Sequence, residues 1–259
     1  MAKQKTPRLA TAATVKSTVK KEFSNTFFLI HGYTGSPTDF NGLPNFLTQT
    51  FGATVEVPLL IGHGTRIEDL DGLTLQDFLN RFEPKLKAII DAGERVVLIG
   101  HSYGGFLALH LASRYPVAGV FTTATPYQLK FPFNIPAMSL LGYIRKYWPK
   151  KLPLEEIQRR EAAFYYGAMP AYGLTLAHDA RRIIQKTLSN VTCPLLTIQS
   201  RHEHISDERS PESMHTAAGS KVKEVFILDN ETHGVFYSGH EETIYQKISE
   251  FVERHQLFA

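Results

Sequence analysis

The ten residues 96–105, VVLIGHSYGG, set a serine between two glycines where an apolar run gives way to the helix-like run FLALHLASRY at 106–115. Val96 to Ile99 are continuously aliphatic, the pattern of a strand buried on both faces. Ser102 follows at the junction, inside the spacing G-x-S-x-G from Gly100 to Gly104. That spacing at a strand-to-helix junction predicts a tight, strained turn that lifts the serine hydroxyl above the sheet edge. Side chains at Gly100 and Gly104 would strike neighbouring backbone. The helix that follows points its positive end at the hydroxyl and favours an oxyanion there. Ser102 is the candidate nucleophile.

The same strand-then-helix rhythm runs outward from this point. Apolar strands are expected at Phe27–His31, Ala53–Val57, Arg95–Gly100, Val117–Thr123, Leu195–Gln199 and Val222–Leu228. Helices are expected at Phe40–Thr50, Leu75–Asp91, Ser102–Tyr115, near Pro211–Ala218 and near Glu242–His255, with Pro84 kinking or dividing the second. Such alternation predicts an α/β fold with a mostly parallel central sheet covered by helices on both faces. The rhythm breaks at 127–190, which is aromatic, rich in Pro and Arg/Lys, and shows no clear strand. The expected organisation is a flexible basic arm at 1–24, a core formed by 25–126 and 191–259, and a helical cap insertion at 127–190.

A serine hydroxyl is a weak nucleophile and needs a base, an acid that orients the base, and donors for the oxyanion. The last strand runs into Asn230-Glu231-Thr232-His233-Gly234, which puts His233 where the base belongs. His240, at the start of the closing helix, is the weaker candidate. The acid lies after LLTIQ, with Glu203 and, four residues further on, Asp207 both open. The loop His31-Gly-Tyr-Thr-Gly35 can turn backbone N–H groups into the site, so the expected oxyanion donors are the amides of Tyr33 and of Tyr103. His31 is expected to shape this loop. His110 reads as a satisfied core residue. His202-Glu203-His204 raises the question of a metal, but no further ligand set accompanies it and no metal is expected.

Bulk composition excludes several classes. The 259 residues carry 28 Lys+Arg and 25 Asp+Glu, a net +3. Residues 1–22 hold six of the basic residues and one acidic one, which leaves 22 against 24 in the body. A basic nucleic-acid face is therefore not expected. The acid-poor arm reads as a solvated tail rather than a transit peptide, and it lacks the apolar stretch of a secretory signal. No apolar run reaches the length of roughly 18 residues that spans a bilayer, so no integral membrane segment is expected. The single cysteine, Cys193, rules out an internal disulfide and fits a reducing, cytoplasmic setting.

Together FFLIHGYTGSP, PLLIGHG, LIGHSYGG, TCPLLTIQSRHE and THGVF resemble the α/β-hydrolase superfamily. Within it they are similar to the thermostable-carboxylesterase and monoacylglycerol-lipase branch, over about residues 25–257. The resemblance implies an α/β-hydrolase fold and a carboxylic ester hydrolase that needs no cofactor. It implies Ser102 as nucleophile, His233 as base, and the Tyr33 and Tyr103 amides as oxyanion hole. The acid of that branch is usually Asp, and its position falls on Glu203 here; Asp207 stays open as the alternative. The Gly62-His63-Gly64 turn is expected to shape a loop beside the pocket without doing chemistry. Caps of this kind line an acyl site, which makes Tyr127, Phe131 and Tyr166 candidate substrate contacts and a small-molecule ester the expected partner. Lys130, Arg145, Lys146, Lys150 and Lys151 give the cap a basic rim, by default solvated. Acyl transfer, an aminopeptidase-like reaction and a non-catalytic ligand-binding role remain alternatives, and oligomeric state is not legible.

Overall fold

The computed structural model describes residues 24–130, 145–150, 166–230 and 232–259. A parallel sheet of six strands forms its centre, in the order β2 (Thr54–Glu56), β1 (Asn25–Ile30), β3 (Arg95–His101), β4 (Gly119–Thr123), β7 (Leu195–Ser200), β8 (Lys223–Leu228). The helices are α1 (Leu43–Phe51), α2 (Leu75–Asp91), α3 (Tyr103–Ala112), α4 (Tyr172–Thr187), α5 (Ser210–Ala217) and α6 (Glu241–Arg254).

Side-chain alternation along each strand splits the core in two. Phe28 and Ile30 of β1 with Val96 and Leu98 of β3 face α2, α3 and α4, through Phe78, Phe82, Leu107, Leu111, Ala180 and Ile184. Phe27 and Leu29 with Val97 and Ile99 face α1 and α6, through Leu43, Leu47, Ile248 and Phe251. Both faces of the central strands are therefore buried, which is why these strands read as unbroken apolar runs.

Two features of the strand order position the site. β1 pairs with β2 on one side and β3 on the other, so the chain reverses its direction of travel across the sheet between β1 and β3. Ligands bind at such a switch point, beyond the carboxyl ends of the strands. Ile30 and Gly100 are register partners at those ends. The loop after β1 and the turn after β3 therefore leave the sheet side by side.

Three expectations are corrected. The segment 127–190 does contain strands: β5 (Tyr147–Pro149) and β6 (Ala168–Pro170) pair antiparallel. Three residues each, both ending in proline, are too short to show a strand period. α4, placed in the insertion by sequence, packs Leu176, Ala180 and Ile184 into the core. α2 runs undivided through Pro84. Pro84 and Asn80, whose carbonyl loses its helical donor, are both exposed, so water can take that carbonyl. The arm at residues 1–23 and the aromatic positions Phe131, Phe133, Tyr143, Phe164 and Tyr165 lie outside the described residues.

Candidate active site

Ser102 sits between β3 and α3 with φ 52° and ψ −118°. This positive-φ conformation costs a non-glycine residue about 1–3 kcal/mol. Its neighbours explain why it persists. A Cβ on Gly104 would enter the backbone carbonyl of Ile30, and one on Gly100 would enter that of Gly104. Gly105 is held as tightly, against the Thr125 hydroxyl. The turn can therefore lie directly on the β1 loop, where a Cβ on Gly32 would come 3.3 Å from Ser102 Cβ.

His233 Nε2 lies 2.9 Å from Ser102 Oγ, and His233 Nδ1 lies 3.1 Å from Glu203 Oε2. Three loops that follow β3, β7 and β8 supply these groups, 131 and 30 residues apart in sequence. Ser200 Oγ donates to the Thr232 carbonyl at 2.7 Å and ties the last two loops together.

Glu203 is fully buried. Its Oε2 accepts from the Ile205 amide at 2.7 Å, and its Oε1 accepts from the Ser206 amide at 2.6 Å and from Gln199 Nε2 at 3.2 Å. Burial by itself would push this carboxyl up. The His233 charge and hydrogen bond, with the two amides, outweigh burial and hold it below the ordinary carboxylate value. Glu203 is therefore ionised at neutral pH. Asp207 is not brought to His233. Its carboxylate takes both Arg209 Nε at 2.7 Å and Arg209 Nη2 at 3.0 Å. His240 stands at the N-terminal boundary of α6 and makes no side-chain bond to that helix end.

The Tyr103 amide, first in α3, has no acceptor within its own helix. Tyr33 belongs to the loop against Ser102, and the two rings lie 6.1 Å apart. Burial pushes both phenols up, so they stay neutral beside Phe78.

The remaining candidates divide. Tyr127 is buried in the core cluster. Tyr166 reaches the loop at 62–66, donating to the Gly62 carbonyl at 2.7 Å. Phe131 is outside the described residues. His110 is not satisfied as expected: its Nδ1 is buried without a partner. It borders a groove of about 730 Å³ with Leu75, Tyr172 and Ile183, and that groove's lining includes neither Ser102, His233 nor Glu203. The basic rim is not simply solvated. Lys130 Nζ donates to the Glu203 carbonyl at 2.8 Å, Lys146 pairs with Asp71 at 2.6 Å, and Lys150 Nζ donates to the Thr34 carbonyl at 3.3 Å. Lys151 is outside the described residues. Among the described residues no group of three or more His, Cys, Asp or Glu could hold a metal ion, and no helix is long and apolar enough to cross a membrane.

Sequence reasoning passed over His101. It is buried beneath the base, with Nδ1 3.0 Å from Thr123 Oγ1 and its ring 5.6 Å from that of His233. Its place between Gly100 and Ser102 was the available signal.

A family model described as Alpha/beta hydrolase family matches residues 27–244. The carboxylesterase of Bacillus subtilis (strain 168) is 23% identical over 229 residues, 87% of this chain and 91% of that protein. The thermostable monoacylglycerol lipase of Bacillus sp. (strain H-257) is 25% identical over 229 residues, 88% of this chain and 90% of that protein. Of solved structures, one reported for the metagenome-derived lipolytic enzymes LipS and LipT has a TM-score of 0.78 at 23% identity, over 90% of this chain and 95% of that one. The monoacylglycerol lipase of Paleococcus ferrophilus has a TM-score of 0.72 at 18% identity, over 90% and 97%.

Proposed function

This chain belongs to the alpha/beta hydrolase family, and on that premise we propose that it hydrolyses carboxylic esters through an acyl-enzyme on Ser102. One observation carries the reading: an unbroken chain of contacts from Ser102 Oγ to His233 to the ionised, buried Glu203, at 2.9 and 3.1 Å. A nucleophile within hydrogen-bond reach of a base that is itself oriented by a carboxylate is the arrangement acyl transfer needs.

In the first half-reaction His233 Nε2 takes the Ser102 proton as Oγ bonds to the ester carbonyl carbon. The Tyr33 and Tyr103 amides receive the oxyanion. Collapse of the tetrahedral intermediate breaks the carbon–oxygen bond to the leaving alcohol, which takes the proton back from His233. In the second, water gives a proton to His233 and its oxygen attacks the acyl carbon. The acid departs, and Ser102 recovers its proton. Glu203 holds the ring so that Nε2 faces Ser102, and stabilises the cation formed twice per cycle. No cofactor enters the scheme.

The names of the two Bacillus relatives support a substrate range of simple carboxylic esters and monoacylglycerol-like esters. Hydrolysis of p-nitrophenyl butyrate by the purified protein tests the reading. Turnover is expected, and Ser102→Ala should lower kcat by about 10⁴-fold or more. Equal rates for the two proteins would exclude Ser102 as nucleophile. Product analysis with an added alcohol separates hydrolysis from acyl transfer.

A further inference from the structure

Two buried histidines outside the Ser102–His233–Glu203 chain form a reciprocal clasp. His31 lies in the loop after β1, and His63 in the Gly62-His63-Gly64 turn. His31 Nε2 accepts from the Leu60 amide at 3.1 Å, while His63 Nε2 accepts from the Thr34 amide at 2.9 Å. An amide N–H can only donate, so each Nε2 is the unprotonated nitrogen. Each Nδ1 must then carry the hydrogen. His31 Nδ1 donates to the Gly32 carbonyl at 3.0 Å and His63 Nδ1 donates to the Ile61 carbonyl at 3.0 Å. The rings meet at 4.9 Å, nearly edge to face. Each loop's imidazole thus holds the other loop's amide.

These bonds fall on either side of Tyr33. A trans peptide is planar, so the Gly32 carbonyl and the Tyr33 N–H share one plane and point oppositely. His31 fixes that plane together with the Gly35 amide, which donates to the same carbonyl at 3.1 Å. His63 fixes the next one, through Thr34, whose φ of 62° is strained for a β-branched residue. The Thr34 carbonyl accepts from Lys150, the residue after β5. Tyr166 reaches the His63 turn from the same insertion. Its hydroxyl donates to the Gly62 carbonyl at 2.7 Å and accepts from the Thr65 amide at 3.2 Å.

We propose that His63 is a positioning residue for catalysis, fixing the Tyr33 oxyanion donor through Thr34, and that Tyr166 makes this bond depend on the position of the cap. The inference rests on the ester-hydrolase reading above. It assigns the His63 turn a part in the reaction, and through Tyr166 it links kcat to the segment that carries β6.

The test pairs ester kinetics with binding of a trifluoromethyl ketone. Ser102 Oγ adds to the ketone carbon, its proton passes to His233, and the hemiketal oxyanion sits on the same donors. His63→Leu removes the acceptor for Thr34. It should lower kcat by about 10- to 100-fold, somewhat less than the loss of a donor itself, with KM changed by no more than about threefold. Ketone affinity should fall by the same factor as kcat. His63→Gln keeps an acceptor near the Nε2 position and should recover most of the loss. Tyr166→Phe removes one hydroxyl from a partly exposed side chain, so folding is not at stake. It should lower kcat and ketone affinity together by about threefold or more. Wild-type kcat and ketone affinity in folded His63→Leu would overturn the role of His63, as would a kcat loss that ketone binding does not share. Wild-type values in Tyr166→Phe would overturn the link to the cap. Absence of Ser102-dependent turnover in the unmutated protein is a separate result, which would overturn the ester reading itself.

Discussion

Ser102 is kept in a strained backbone conformation by glycines that have no room for a side chain, and its chemistry is then decided by which neighbours reach it. Glu203 and Asp207 are four residues apart on one loop, yet their surroundings are opposite. Glu203 is buried among amides and touches His233, whereas Asp207 is neutralised by Arg209 at the surface. A glutamate is one methylene longer than the aspartate usual at this place. The Ile205 and Ser206 amides grip both of its oxygens and leave Oε2 on His233 Nδ1. Glu203→Gln keeps the shape but removes the charge, and should lower kcat by about 10³-fold or more, since a neutral amide stabilises the imidazolium poorly. Asp207→Asn should stay within about twofold of wild type. Steady-state kinetics on one ester decides between them. Loss of turnover in the second variant alone would reverse the assignment.

Strands and loops transmit these demands into packing. β1 and β3 end in register, so the first turn of α3 lies directly on the β1 loop, and Gly104 is the point of contact. Gly104→Ala would drive a methyl group into the Ile30 and His31 carbonyls. The expected cost is about 1–3 kcal/mol of stability, together with loss of ester turnover as Ser102 shifts off His233. Gly167 offers a control, because a Cβ there meets nothing within 4 Å. Gly167→Ala should fall within about 0.5 kcal/mol of wild type. Thermal unfolding and p-nitrophenyl butyrate kinetics on both variants check this. A fully active, equally stable Gly104→Ala would mean that the elbow is looser than described.

Over the whole molecule, burial lowers two buried histidines, His31 and His63 (the latter to about 3), and two half-buried ones, His110 and His215 (the latter to about 4). Around the clasp, Asp39 works to raise both His31 and His63, while Lys150 and the partner imidazole lower His63 further. A histidine with a lowered folded value takes up its proton more readily when unfolded. Its contribution to stability is complete above the unfolded value of about 6.5 and is lost as pH falls below it. Each such group adds a slope of at most about 1.4 kcal/mol per pH unit. The lowered carboxylates, among them Glu203 and Glu224 (about 2), add acid sensitivity only below their own unfolded value of about 4.5. Urea unfolding midpoints should therefore be flat from pH 7 to about pH 8 and decline from pH 6.5 downward, less steeply in His63→Gln. A midpoint unchanged between pH 7 and pH 5 would contradict this.

Much of this was legible in the chain itself, wherever the physics is local. A buried strand must be apolar throughout, and a tight elbow must carry glycine at fixed spacing. The alternation of strands and helices along the chain, the elbow at Ser102 and the loops carrying Tyr33, Glu203 and His233 could all be read for that reason. Contacts between loops far apart in sequence could not. Only the tertiary structure chose Glu203 over Asp207 as the partner of His233, because side-chain direction depends on which amides surround the carboxylate. Only it placed α4 in the core and paired β5 with β6, since three-residue strands carry no period. Only it joined His31 to Leu60 and His63 to Thr34, each 29 residues apart. A histidine's sequence neighbours do not record which distant amide its ring accepts, and that choice is made when the sheet brings the two loops together.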